Sequence, residues 1–128
     1  MYIIAGSTGT LGSAIAAELA KNHDIFLIGR DESKLKEQAD KYNCKYEVID
    51  LTNTPEPREF SKIIDQEVEI TGLVNCIGSI LIKPLHGTSL DEFNDVITTN
   101  LFSSYFLLAS LKETSLKNDD YFFPSILK

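Results

Sequence analysis

Short runs of apolar, β-branched residues alternate along the chain with longer segments in which apolar residues recur every three or four positions. That alternation is the pattern of βαβ units and a parallel sheet. It predicts strands at Tyr2 to Ala5, Ile25 to Ile28, Tyr46 to Ile49 and Leu73 to Cys76. Each run is nearly all apolar instead of alternating, as expected where helices cover both faces of a sheet. Between them, Leu11, Ile15 and Leu19 with Ala16 and Ala20 mark one helix, Leu35 and Ala39 a second, and Phe60, Ile63 and Ile64 a third. Asp31 is placed to cap the second, and Thr54 precedes Pro55 near the start of the third.

A fourth helix begins after Ser89, where Asp91, Glu92 and Asp95 favour the positive end of the helix dipole. A fifth runs from Asn100 to Leu116, with Leu101, Tyr105, Leu108 and Leu111 on one stripe and Phe102 and Phe106 on another. A helix apolar on more than one side packs against the sheet and against something else, such as a partner subunit. The segment after Asn118 suits a further strand, although Pro124 confines it to a sheet edge or a strand end. With no repeat, linker or low-complexity tract, residues 1–128 read as one domain. The predicted fold class is α/β, a Rossmann-type doubly wound parallel sheet of strand order 3-2-1-4, with room for a fifth strand beside the fourth.

Composition changes this picture little. The apolar fraction of 43% and charged fraction of 24% are those of an ordinary globular domain. A net charge of −7 with no Lys/Arg-rich run argues against nucleic acid and anionic membrane as partners. No apolar run approaches the ~20 residues that span a bilayer, and the start of the chain lacks the features of a secretory signal, so a cytoplasmic location is expected. Cys44 and Cys76 have neither metal-site nor CxxC spacing and read as buried thiols. His23, His86, Glu67 and Glu69 form no triad, metal site or acid/base pair.

The chemistry lies in Gly6-Ser7-Thr8-Gly9-Thr10-Leu11-Gly12, directly after the first strand and opening the first helix. Glycines there allow backbone conformations closed to other residues, let a pyrophosphate approach the main chain, and permit close helix–strand packing. The helix start adds free N–H groups and partial positive charge for an anion. The second strand ends in Ile28-Gly29-Arg30, where an NAD-specific domain commonly carries Asp or Glu. The Arg30 guanidinium suits a 2′-phosphate, which favours NADP(H), while the adjacent Asp31 keeps NAD(H) as the alternative.

These features together resemble the short-chain dehydrogenase/reductase family, from residue 2 to about residue 116. Asp50-Leu51-Thr52 is similar to the family's Asp-Leu-Thr turn, whose Asp contacts adenine. Leu73-Val74-Asn75-Cys76-Ile77-Gly78 resembles its Leu-Val-Asn-Asn-Ala-Gly, which steadies the sheet and borders the nicotinamide side. Ser89 to Phe93, Val96 and Thr99-Asn100-Leu101 resemble the helix that leads to the family's catalytic Asn. The resemblance implies cofactor contacts at Gly6, Ser7, Thr8, Gly9, Thr10, Leu11, Gly12, Arg30, Asp50, Leu51, Asn75 and Gly78, and no metal. It also implies a parent activity of hydride transfer between NADP(H) and an unidentified small carbonyl or alcohol.

Departures from the family pattern are informative. The glycine spacing is GxxGxxG, closer to extended or atypical members than to the GxxxGxG of the classical branch, and Cys76 and Ile77 replace Asn and Ala. More seriously, the family's chemistry uses a Tyr and, four residues on, a Lys that lowers the tyrosine pKa. No Tyr-x-x-x-Lys occurs here: Tyr42 is followed at that distance by Tyr46, Tyr105 by Ala109 and Tyr121 by Ser125. Asn100 is a catalytic candidate whose relay is incomplete, and it reads equally as a helix-kink or backbone-bonding residue. Ser125 stands roughly where the family's substrate-orienting Ser would fall, in a dissimilar setting. The expectation is thus a C-terminally truncated, inactive cofactor-binding part that tends to form homo-oligomers. The alternative is a stand-alone nucleotide-binding or dimerising module without catalysis.

Overall fold

The structure is a computed structural model that describes residues 1–53, 69–111 and 121–122. Its centre is a parallel sheet built from β1 (Tyr2–Ala5), β2 (Ile25–Gly29), β3 (Lys45–Val48), β4 (Gly72–Asn75) and β5 (Tyr121–Phe122), in the order β3-β2-β1-β4-β5. The sequence-predicted order 3-2-1-4 is therefore observed, with the two-residue β5 beside β4. Observed strand limits differ from the expected ones by a residue at β2, β3 and β4. Ladder bonding nevertheless runs past these limits, since the Ile49 N–H donates to Gly29 at 2.9 Å and the Cys76 N–H to Ala5 at 2.8 Å.

The central strands β2 and β4 are wholly buried, whereas β3, reading Lys-Tyr-Glu-Val at the sheet edge, is partly exposed. Successive residues of β1 feed different cores. Ile3 and Ala5 join Phe26, Ile28, Leu73, Phe106 and Leu107 on one face, and Ile4 joins Ala16, Leu27, Leu35 and Val74 on the other. Opposite orientation of neighbouring strand residues makes this unavoidable, and it requires a covering layer on each side.

On the Ile4 side the layer is α1 (Thr10–Leu19) and α2 (Glu32–Tyr42). Asp31 caps α2 by accepting from the Lys34 N–H, as its position predicts, and Asn43 ends the helix in the left-handed region at φ 50. On the opposite face α3 (Leu90–Ile97), which has no buried residue, precedes α4 (Ser103–Leu111), whose Phe106 and Leu107 enter the core. The third helix expected around Phe60 to Ile64, with its start at Thr54, lies outside the described residues.

The expected fourth and fifth helices are both present and run into one another. α3 enters a π-helical turn at Thr98–Phe102 and passes into α4 with helical backbone at Ile97 and Ser103, so the chain from Leu90 to Leu111 is continuous. The helix begins in a full capping box in which Ser89 accepts from the Glu92 N–H while Glu92 accepts from the Ser89 N–H. Of its apolar residues, Phe106 and Leu107 enter the core, and Leu101, Phe102, Tyr105 and Leu108 face outward. Among the described residues, no helix is long and apolar enough to cross a membrane.

Candidate functional site

The site begins where β1 ends. Gly6 holds φ 75, and its N–H donates to Ile28 at 2.8 Å, so the chain leaves β1 turning across the end of β2. A side chain there would meet the Cys76 carbonyl carbon at 2.9 Å and the Ile77 nitrogen at 3.0 Å, because the exit of β4 lies against this turn. Gly9 donates to the Gly6 carbonyl at 3.1 Å and is the N-cap of α1, without a capping side chain. The first helical bond runs from Ser13 to Gly9 at 2.9 Å, which leaves the earlier N–H groups of the helix without intrahelical acceptors. Gly12 is buried and rests on the turn itself.

Ser7 is fully buried, with its hydroxyl unpartnered, while its carbonyl accepts from Gln38 of α2 at 2.9 Å. The glycine turn is thus braced from behind by the second helix.

A cleft of about 700 Å³ opens over the carboxyl ends of the strands, within the range of small-molecule sites. Gly6, Thr8 and Gly9 line it after β1, Gly29, Arg30, Asp31 and Lys34 after β2, and Ile49 to Thr52 after β3. Cys76, Ile77, Gly78 and Ser79 line it after β4, joined by Thr99 of the π turn. Its glycine-walled floor has room for a close approach to main-chain atoms, as a diphosphate requires.

Two carboxylates border the cleft. Hydrogen bonds from Thr52, at 2.6 Å from its hydroxyl and 3.0 Å from its N–H, hold the Asp50 carboxyl below the usual range, and the nearby Arg30 charge adds to this. The Asp31 carboxyl is lowered chiefly by the Lys34 N–H it caps. Burial pushes the Cys76 thiol up, so this half-buried group is kept as a neutral thiol.

Asn75 and Asn100 shape the cleft from behind. Buried Asn75 accepts from the Ile77 N–H at 3.0 Å and donates to the Ser104 hydroxyl at 2.9 Å, which ties the end of β4 to the helix. Asn100 accepts from the Ser79 N–H at 3.1 Å and donates to the Ser79 and Val96 carbonyls at 2.9 and 2.8 Å. It is a backbone-bonding residue in this geometry. The π turn carries it, and such turns recur at functional sites.

Of the sequence-predicted site residues, Gly6, Thr8, Gly9, Arg30, Asp50, Leu51 and Gly78 line one cleft. Ser7, Gly12 and Asn75 lie buried around it, and Thr10 and Leu11 stand exposed in the first turn of α1. Ser125 lies outside the described residues. His23 and His86 are exposed, and among the described residues no cluster of His, Cys, Asp or Glu could hold a metal. Sequence reasoning missed Lys34 and Ser79, and named Thr99 only as part of the motif around Asn100. For Lys34 a signal existed, since Arg30, Asp31, Glu32 and Lys34 place four charges within five residues of the second strand's end.

The chain is similar to known proteins over most of its length. It is 30% identical over 124 residues to a 3-oxoacyl-(acyl-carrier-protein) reductase of Buchnera aphidicola, covering 91% of this chain and 49% of that protein. With a tropinone reductase homolog of Arabidopsis thaliana it shares 26% identity over 113 residues, covering 82% of this chain and 42% of the other. The chain thus spans about half the length of the curated relatives it matches. Among solved structures, a short chain dehydrogenase from Escherichia coli CFT073 complexed with NADPH superposes with a TM-score of 0.86 at 20% identity. That match covers 95% of this chain and 56% of the other, and it speaks for the fold. The family model for short chain dehydrogenases matches residues 1–119, so the chain belongs to the short chain dehydrogenase family.

Proposed function

We propose that the cleft binds NADP(H) and that the chain supplies the cofactor-holding part of an oxidoreductase acting on a carbonyl or alcohol. The observation that carries this reading is the convergence of the Gly6 to Gly12 turn with four strand ends on one cleft. Gly6 and Gly9 would lie against the diphosphate, with the start of α1 supplying main-chain donors. Asp50 and Leu51 would border the adenine, Arg30 the 2′-phosphate, and Asn75 and Gly78 the nicotinamide half. The bound dinucleotide would supply hydride transfer to or from the substrate. Asn100 would act on the site through Ser79, whose main chain it grips on both sides.

The NADPH complex of the structurally similar E. coli protein supports the choice of cofactor. Within these 128 residues no Tyr is followed four positions later by Lys. The reading therefore expects the 128 residues to bind the dinucleotide without turning it over.

Fluorescence titration of the chain with NADPH and NADH tests this, alongside Arg30→Ala. NADPH is expected to bind more tightly, and Arg30→Ala to remove most of the difference. Equal affinities in the unaltered chain would refute the NADP(H) preference, and no binding of either at millimolar concentration would refute the site itself.

A further inference from the structure

Of the four charged residues just after β2, Arg30, Asp31, Glu32 and Lys34, all but Glu32 line the cleft, and the structure sorts these three by what each is already bonded to. Asp31 is engaged chiefly through one oxygen. Its Oδ1 accepts from the Lys34 N–H at 3.1 Å and the Ser33 hydroxyl at 2.8 Å, and its Oδ2 lies 3.2 Å from Lys34 Nζ. Turning this carboxylate toward a ribose would uncap α2.

Lys34 differs, because only its main chain is needed for the cap. Its side chain is 64% exposed, lines the cleft, and is held by an ion pair of the exposed kind that contributes little to stability. The side chain also borders the groove between α1 and α2, which shares Thr8 with the cleft. Arg30 stands near Asp50, whose carboxyl its charge helps to lower. A phosphate entering this corner meets Arg30 and a second cation whose ion pair is easily released.

We infer that Lys34 is a second cation for the 2′-phosphate, exchanging the Asp31 carboxylate for it, and that Asp31 serves as helix cap and lysine anchor instead of as a ribose ligand. This rests on the dinucleotide reading above. Arg30 contributes a rigid fork of donors, and Lys34 a compact charge on a flexible stem that can follow the phosphate. Selection for NADP(H) then depends on a pair of cations, with Asp31 as the competing anion.

The test is fluorescence titration of the 128-residue chain with NADPH and NADH, read as the ratio of the two affinities in one protein sample. A partly misfolded variant lowers both affinities and leaves the ratio intact. Lys34→Gln should reduce the NADPH preference about tenfold, the loss of one charge-assisted hydrogen bond. Lys34→Arg should retain most of it. Asp31→Ser keeps a capping oxygen while removing the negative charge, and should raise the preference several-fold.

If Lys34→Gln leaves the ratio unchanged while Arg30→Ala abolishes it, the role of Lys34 is overturned and the dinucleotide reading stands. Should Asp31→Ser instead weaken NADH about tenfold, Asp31 is a ribose ligand and the inference also fails. Failure of the unaltered chain to bind either nucleotide would overturn both.

Discussion

Gly12→Ala is the sharpest test of why the turn after β1 carries glycine. A Cβ built on Gly12 overlaps the Gly6 carbonyl oxygen and stands 2.8 Å from the Gly6 carbonyl carbon and 2.9 Å from Ser7 Cα. Carbon atoms settle at ~3.5–4.0 Å, so α1 would have to retreat from the turn by about 1 Å. The turn cannot give way instead. Gly6 is fixed by its 2.8 Å bond to Ile28, and the Cys76 main chain closes the space on its Cβ side. Overpacking of this kind costs about 1–3 kcal/mol, against which alanine's better helix propensity returns about 1 kcal/mol. Because every opposing atom belongs to the main chain, the upper part of the range applies, for a net loss of about 2 kcal/mol. That corresponds to a fall in Tm of about 8 °C, readable by circular dichroism. Gly9→Ala is the matched control. Its φ of −77 suits any residue and its Cβ would lie 3.4 Å from Gly6 O, so the change should cost no more than about 1 kcal/mol. On the dinucleotide reading, Gly12→Ala should also weaken NADPH at least about tenfold, since a 1 Å displacement disrupts positioned contacts. If the two variants melt together, close helix–strand approach is not what requires Gly12.

Asn75→Ala and Asn100→Ala separate a buried bonding residue from an exposed one. The first leaves the part-buried Ile77 N–H unpaired and takes a donor from the Ser104 hydroxyl, which keeps its own bond to the Asn100 carbonyl, and should cost about 2 kcal/mol in urea unfolding. Water can replace the partners of exposed Asn100, so its removal should cost only about 1 kcal/mol, while hydrogen exchange at Ser79 quickens. Equal losses would contradict the burial argument. The Lys83 ammonium, with the Ser89 N–H, holds the Glu92 carboxyl at about 2 instead of the ordinary 4.5. A depressed folded pKa stabilises above the unfolded value, so the advantage of the unaltered chain over Glu92→Gln should hold above pH about 4.5 and vanish as pH falls through about 2. Urea titrations of both proteins across that window check the sign, and a constant difference would refute it.

The strands and their order were legible because a sheet covered on both faces demands uninterrupted apolar runs, as at Ile25 to Ile28 and Leu73 to Val74. The glycine turn was legible because its constraint acts on the main chain, where residue type reports it directly. Helix continuity through Asn100 was legible only in part. The sequence offered Asn100 as a helix-kink or backbone-bonding residue, but not the wider π turn, which accompanies its contact with Ser79, 21 residues earlier in the chain. Lys34 was missed for a related reason. Its spacing from Asp31 describes an ordinary surface pair, and only the placement of the α2 start beside the cleft gives that pair a second meaning. Residues that answer to their own backbone are therefore readable from sequence, whereas residues that answer to a neighbouring element need the fold. In this site the first kind forms the floor of the cleft and the second kind forms its rim, so the sequence tells more about the class of ligand than about which member of that class is preferred.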